Sequence, residues 1–512
     1  MTRRLALTIA IYLGTFMVTL DISIVNLALP RMQQALQTDM AGLQWIVDSY
    51  ALCLSAFMLS AGLLGDRYGR KKSWLLGVLA FTVGSMMCAL AGSLSALLWG
   101  RVVQGMAGAL LIPGALSILT HAFPDSAQRA RVIGGWSSFS ALALVLGPIL
   151  GGVLVDVADW PSIFSLNLPL GLLTLGLGMW GIQESANPEH AAFDPVGQLL
   201  SVIWLGSLTY GLICAGEQGW HATETIRSLG VAALTFVAFI YAQTRVARPL
   251  LPLSLFRDYR FSTANIASFV LGFAAYSNVF FLSLFFQNAL GWSATQTGWG
   301  LAPQFIGMAV LASRFGALSQ RFGLKLILTV GFGLMAAGSW LMMLLQPGAS
   351  YWMAGFALAV LGIGMGLSVP ACSTLVMNLV PRERSGMASA TTNAIRQTGM
   401  TLGVALLASL MSQGAVSSLS SRLDPVNPML EQAQQIISSG QVNLPASADS
   451  LFWMQAIQHA WADGFHRVMF WAGLLAVFSL VCCCVCVCLV YRLLLPLRWN
   501  CIKPSFCRLD LQ

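Results

Sequence analysis

Gly62-Leu-Leu-Gly-Asp-Arg-Tyr-Gly-Arg-Lys71 returns later in the chain as Gly316-Ala-Leu-Ser-Gln-Arg-Phe-Gly-Leu-Lys325. Gly, Leu, Arg, an aromatic ring, Gly and Lys match at the constant offset between Gly62 and Gly316. Each copy is a short basic turn between two long apolar runs. Pro124 and Pro381 keep nearly the same offset, each after the fourth run of a six-run unit. Runs 1–6 and 9–14 therefore read as two related halves, with runs 7 and 8 inserted between them. Parallel halves of this kind place a substrate site between them, near the membrane midplane.

The apolar runs dominate the composition. Of 512 residues, 57% are hydrophobic and 9% charged, and the mean hydropathy is +0.75. A soluble domain carries about 25% charged residues. So few charges do not cover a soluble protein of this length, so lipid must be the solvent for much of the chain. A spanning helix needs about 20 mostly apolar residues. Such runs fall at 5–29, 42–64, 73–92, 96–119, 132–155, 162–182, 196–215, 226–243, 262–286, 298–318, 326–346, 352–378, 389–412 and 464–491. The expected fold is all-α integral membrane, with fourteen transmembrane helices in two six-helix bundles plus two linker helices. The expected divisions are an N-terminal bundle at 1–183, a linker at 184–260, a C-terminal bundle at 261–491 with an external loop at 413–463, and a tail at 492–512.

Basic residues orient the chain. With the N-terminus inside, the inner segments hold twenty of the 27 Lys and Arg residues. The outer ones hold four: Arg31, Arg227, Arg422 and Arg467. Arg101, Arg314 and Arg396 lie within spans. This asymmetry follows the positive-inside rule and predicts a multi-pass cell (inner) membrane protein with both termini cytoplasmic. The apolar run behind Met1-Thr2-Arg3-Arg4 reaches Pro30 without a small-residue cleavage site and reads as a retained first span. One loop departs from the trend: 183–194 carries Glu184, Glu189 and Asp194 and no base. Acidic residues weigh little in the rule.

The net charge of +8 does not indicate nucleic acid, because the bases sit in short clusters between spans and no DNA-reading motif is present. Eleven cysteines are scattered singly or crowded at 482–488, without the paired spacing of a zinc site. Gly-x4-Gly-Lys-[Ser/Thr], His-Glu-x2-His and Gly-x-Ser-x-Gly are all absent. No enzyme activity, cofactor or metal is expected, and transport by this chain would draw on ion gradients rather than ATP.

Six motifs then resemble one family, the fourteen-span drug:proton antiporters of the major facilitator superfamily. Leu20-Asp-Ile-Ser-Ile-Val-Asn-Leu-Ala-Leu-Pro30 is similar to their first-span signature, and Gly62–Lys71 to the loop between spans 2 and 3. Arg101-Val-Val-Gln-Gly105 resembles the fourth-span motif, and Gly147-Pro-Ile-Leu-Gly-Gly152 the antiporter motif of span 5. Ile163–Gly171 and Arg248-Pro-Leu-Leu-Pro252 also look like this group. The resemblance covers about residues 10–412. It implies export of small lipophilic drugs or antiseptics, monocationic or neutral, in exchange for protons, by a chain that works as a monomer. Spans 9–14 hold no Asp or Glu, unlike members that recognise dications. A dedicated exporter of one self-made metabolite or antibiotic is the alternative, and a non-transporting receptor or scaffold the alternative of another class.

Proton exchange needs a group that takes a proton from one side and gives it to the other. A membrane-embedded carboxylate serves, since burial favours its neutral form and an approaching cation its charged one. Asp21 and Asp48 are the carboxylates well inside the spans, at similar depth in the outer half. Asp21 has a structural alternative, hydrogen bonding to Ser23 or Asn26; Asp48 may instead stand at the wet interface beside Trp45. Arg101 either couples to a carboxylate or ties spans together through backbone carbonyls. By resemblance, Gly62, Asp66, Arg67, Gly69, Arg70 and Lys71 form a gating turn, with Asp66 docking on the start of span 13 after Ser385-Gly386. Gly147, Pro148, Gly151 and Gly152 carry no reactive group and offer a bend and close approach. Trp136, Phe139, Tyr276, Asn278, Gln287 and Arg396 are candidates for a pocket wall, Arg396 also for simple snorkelling near the inner end.

Overall fold

Short polar stops set the ends of long apolar helices. The computed structural model describes residues 2–186, 194–246, 249–251, 253–347, 350–380, 385–422 and 450–499. Among them there is no strand. The helices are α1 (Arg3–Leu36), α2 (Met40–Tyr68), α3 (Arg70–Ala89), α4 (Leu94–Ala122), α5 (Ser126–Ala158), α6 (Ser162–Gly181), α7 (Pro195–Gln218), α8 (Thr223–Arg245), α9 (Tyr259–Ala289), α10 (Ala294–Leu341), α11 (Tyr351–Asn378), α12 (Ser385–Arg422) and α13 (Ser450–Trp499). Several acidic residues outside the apolar runs are N-caps. Asp39, Asp125, Asp194 and Asp258 accept from the backbone of Gly42, Gln128, Gly197 and Arg260 at 2.8–2.9 Å. That satisfies donors a helix start leaves open, and it explains Asp194 in the otherwise base-free loop.

Twelve helices among the described residues are long and apolar enough to cross a membrane. α2 is not among the twelve, and α10 counts once although it joins two apolar runs. Inside α10 the backbone leaves helical geometry at Gly323, with φ 76° and ψ 154°. Gly69, its partner in the sequence repeat, has φ 112° between α2 and α3. Both copies of the turn thus need a residue without a Cβ. The expected loop at 413–463 is shorter than the sequence suggested: α12 continues to Arg422 and α13 starts at Ser450. The polar residues after 412 do not end the helix. Residue 381 and segment 423–449 lie outside the described residues.

In the N-terminal half α1 packs on α5 and α6, and α4 on α2 and α3; in the C-terminal half α10 packs on α11 and α13, and α12 on α13. The halves meet along α5–α10 and α2–α12. α7 pairs with α8 and lies against both α2 and α12. Gln198 of α7 donates to the Ala56 carbonyl at 3.0 Å and accepts from the Ser60 hydroxyl, while Gln413 donates to the Ala215 carbonyl at 3.3 Å. α8 is the most peripheral, with 17% of its most apolar window buried against 89% for α9. Outward apolar side chains such as Leu234 (74% exposed) and Trp352 (82%) suit lipid, not water.

One large apolar cluster runs through both halves, joining Leu27, Leu29, Met32 and Leu43 to Phe281, Phe285, Met411 and Trp461, and reaching Ile327 and Leu328 just after the second basic turn. Two smaller clusters are separate from it. One holds Ile11, Tyr50, Trp74, Phe81 and Leu111, with Ala394 of α12 as its contact to the other half. The other holds Phe261, Ala264, Val376 and Ala388.

Candidate functional site

α1, α2, α3 and α4 enclose a connected polar cluster. Asp21 of α1 pairs with Arg101 of α4, each 1% exposed. Gln104, one helical turn from Arg101, donates to Asp21 at 3.1 Å and to the Ser85 hydroxyl at 2.8 Å, and accepts from Arg101 at 2.9 Å. Arg101 Nε donates to the Ile46 carbonyl at 3.1 Å, and the guanidinium lies 4.3 Å from the centre of the Tyr50 ring. Tyr50 in turn donates to the Val18 carbonyl at 3.1 Å. Glycines make room for this: a Cβ at Gly105 would stand 2.8 Å from Cys53 Cβ. Arg101 meets both a carboxylate of α1 and a backbone carbonyl of α2. The proposed partners of Asp21 do not: Ser23 and Asn26 bond to Leu20 and Ile22 of their own helix. Gln104 and Tyr50 were missed as site residues, although Gln104 sits three positions after Arg101 in the quoted motif, where helix neighbours face one another.

Asp48 stands apart. It is 0% exposed, and neither carboxylate oxygen has a hydrogen-bond partner among the described residues. The wet-interface alternative therefore fails. Trp45, three positions before Asp48, packs on Tyr210 of α7 with ring centres 6.3 Å apart. An ionised carboxylate without partners in a dry interior is costly, and protonation removes the cost.

The basic turn is docked against the end of α6. Glu184 accepts from the backbone of Lys71 at 3.0 Å and of Lys72 at 3.2 Å, the Lys71 ammonium donates to the Met179 carbonyl at 2.7 Å, and Arg70 N donates to the Ser185 carbonyl at 2.9 Å. A Cβ at Gly69 would come within 2.8 Å of the Glu184 carboxyl group. Arg67 is exposed over its neighbour Tyr68. Gly62 and Asp66 lie on the last turns of α2; the Asp66 side chain, Arg382–Arg384 and the Ser385 side chain fall outside the described residues, and with them the expected latch. Glu184 is a member of this turn that the sequence reading passed over as part of an irregular acidic loop.

The span-5 motif lies against the other half. Gly147 and Gly151 face Ser23 and Ile24 of α1, and Gly152 faces Ala294 and Thr295 of α10. A Cβ on Gly152 would stand 2.7 Å from the Thr295 Cα. Pro148 interrupts α5 beside this contact, and its carbonyl abuts Gly298. Nearby, the Ser283 hydroxyl donates to the Asn26 carbonyl at 2.5 Å, Gln287 to the Leu27 carbonyl at 3.2 Å, and Thr295 N to Asp156 at 2.8 Å. Gln287 thus belongs to the seam between halves at the expected outer end. Asn278 is buried, with Nδ2 3.9 Å from Met342 Sδ and its carbonyl oxygen unpartnered.

The remaining candidates form two aromatic groups. Trp136 donates to the Thr15 hydroxyl at 2.7 Å, and Phe139, 36% exposed, lies 5.4 Å from Tyr12 and 6.1 Å from Phe16. In the other half Arg396 donates to Asn393 at 2.6 Å and sits 5.6 Å from the Tyr276 ring centre. Its hydrogen bond reaches back one turn along its own helix, toward the expected inner end. Among the described residues no three His, Cys, Asp or Glu side chains are grouped to hold a metal ion.

Long apolar helices in two packed groups, with a buried acid–base cluster in one and a seam of glycine contacts between them, define a polytopic membrane transporter. The chain belongs to the major facilitator superfamily, whose model matches residues 11–404. It is 36% identical over 420 residues to the multidrug resistance protein Stp of Mycobacterium tuberculosis (strain CDC 1551 / Oshkosh), covering 82% of this chain and 78% of that one. It is 34% identical over 403 residues to the methylenomycin A resistance protein of Bacillus subtilis (strain 168), covering 78% and 86%. It is likewise 34% identical over 406 residues to the tetracenomycin C resistance and export protein of Streptomyces glaucescens, covering 79% and 75%. Among solved structures, a bacterial homologue of the human lysosomal transporter Spinster in an inward-facing, unoccupied conformation superposes with TM-score 0.62 at 21% identity, covering 94% and 96%. At that identity the likeness is one of fold.

Proposed function

We propose that this chain is a proton-coupled exporter of small lipophilic compounds in the cell membrane, with both termini inside and a monomer as the working unit. The observation that carries the proposal is Asp48, a fully buried carboxylate with no hydrogen-bond partner among the described residues of a membrane transporter. Its neutral form suits the closed interior, and its ionised form suits a state in which water or cargo reaches it. Asp21 is the second buried carboxylate, and its charge already has a counter-charge in Arg101. Drug resistance and export in the names of the relatives support the export direction.

Fourteen spans follow if α2 is counted and α10 is divided at Gly323, the counterpart of Gly69. The bundles then end near 183 and begin near 261, and α7 and α8 form the linker. Neutral cargo fits the cluster better than monocations, because Asp21 is occupied and Asp48 is covered. Two of the relatives are named for one antibiotic each, which favours a narrow exporter as the second reading.

Inverted vesicles test both readings. With native protein, a pH gradient should drive uptake of at least one lipophile, and a protonophore should abolish it. Asp48→Asn should remove the pH dependence while leaving substrate counterflow. Gradient-driven uptake undiminished in Asp48→Asn would eliminate Asp48 as the carrier. Competition among many dyes favours the broad exporter, and competition by one compound the narrow one.

A further inference from the structure

We infer that the C-terminal half holds a binding site for one deprotonated acid group on an otherwise apolar cargo, with Arg396 as its anchor and Asn393 and Tyr276 as its frame. This deepens the proposed function and rests on it only for the direction of transport.

Three arginines lie within the expected spans. Arg101 is matched by Asp21, and Arg314 is exposed on α10. Arg396 is partly buried and has no acidic partner among the described residues. Its one hydrogen bond, to Asn393, uses Nη2, and a guanidinium carries five N–H donors. Among the described residues the remaining donors meet no protein acceptor. Within the spans of this half no Asp or Glu exists to supply one. A cation at membrane depth is held by a counter-charge or by water, and a planar guanidinium matches a carboxylate through two parallel hydrogen bonds.

The surroundings position the group instead of neutralising it. α12 packs on α9 so closely that the Arg396 carbonyl abuts Gly272, and the Phe269 carbonyl abuts Gly399. The same stretch of α9 is wound as a π-helix from Leu271 to Tyr276. Such turns are rare and occur often at functional sites. This one ends at the ring over which Arg396 lies. On its other side α12 borders α2, so the site sits at the joint between the halves. Phe269 and Phe273, with ring centres 5.9 Å apart, give the neighbouring apolar wall. With Asp21 matched by Arg101 and Asp48 fully buried in α2, the unmatched charge offered to cargo in this half is positive.

Equilibrium binding to the purified full chain in nanodiscs decides the matter, with three probes of one shape: 1-naphthoate, 1-naphthalenemethanol and 1-naphthyltrimethylammonium. Native protein should bind naphthoate at least tenfold more tightly than the alcohol or the cation. Arg396→Gln should bring naphthoate down to the level of the alcohol and leave the alcohol unchanged, which also reports that the variant is folded. Arg396→Lys should fall between. Naphthoate binding no tighter than the alcohol in native protein, or undiminished in Arg396→Gln, overturns the site. If Arg396→Gln does not fold, the native probe ranking and Arg396→Lys decide alone. Transport separates this proposal from the previous one: naphthoate that binds through Arg396 but ignores a pH gradient refutes antiport and keeps the site.

Discussion

Arg101→Leu removes the charge opposite Asp21 without opening the helix bundle, and its cost follows from the contacts it breaks. The Asp21 carboxylate keeps Gln104 Nε2 but loses its counter-charge at 1% exposure, and the Ile46 carbonyl loses its side-chain donor. Breaking a buried pair by deleting one partner costs about 3–5 kcal/mol, because a charge is left unmatched. Asp21→Leu strands Arg101 in the same way and should cost a similar amount. Removing both leaves no unmatched charge. What remains lost is neutral hydrogen bonding around Gln104, about 1 kcal/mol for each bond. The double variant should therefore be more stable than either single one.

A double-mutant cycle by SDS titration in mixed micelles, followed by tryptophan fluorescence, measures this coupling. We expect an interaction energy of at least about 2 kcal/mol, toward the top of the range for contacting residues. Additivity within about 0.5 kcal/mol would refute the reasoning, since it would mean that Asp21 and Arg101 do not depend on one another. The result also bears on mechanism. A strongly coupled pair makes Asp21 a fixed member of the N-terminal half, which leaves proton exchange to Asp48.

Gly152→Val should force α5 and α10 apart, because the new side chain meets the Thr295 backbone; distances between spin labels at Leu36 and Leu290 should lengthen by several Å, and unchanged distances would refute the close-contact argument. Glu184→Ala should release the start of α3, with faster hydrogen exchange at Lys71 and Lys72 and a loss near the cap range of about 0.5–2 kcal/mol; unchanged exchange at those amides would exclude Glu184 as their anchor. Gln198→Leu should strand the Ser60 hydroxyl and loosen α7 from α2, costing about 1–3 kcal/mol in SDS titration, and a neutral result would show that α7 docks by apolar contact alone.

Much of the architecture was legible in the residues because the governing signals are local. Apolar length, the basic turns and the Gly62/Gly316 repeat each act over a few residues, and Gly69 and Gly323 share a positive φ as the repeat implies. The site was legible in its members but not in their partnerships. Asp21, Asp48 and Arg101 stood out as charges in apolar runs. That Asp21 bonds Arg101 and Gln104 while Asp48 bonds nothing depends on how α1, α2 and α4 turn toward one another. Gln287 looked like a pocket residue because it is polar among phenylalanines, and only packing across the halves places it at the Leu27 carbonyl. Glu184 was hidden for a similar reason, since its partners are backbone amides 113 and 112 positions away.

The seam that closes the outer end is weak enough to open. Its polar part among the described residues is the bonds from Ser283, Gln287 and the Thr295 amide to Asn26, Leu27 and Asp156. At about 1 kcal/mol net for each bond, they hold the halves together by only a few kcal/mol. The glycine contacts beside them, at Gly152 and Gly298 between α5 and α10, add close packing without interlocking side chains, so the surfaces can part without repacking a core. Protonating one carboxylate changes the balance by about 1.4 kcal/mol for every unit by which its pKa differs between two states. One acid whose surroundings differ strongly between the states can therefore bias a seam of this strength. Asp48, sealed within α2, which itself packs on α12 of the other half, is placed to experience such a difference when the halves rock.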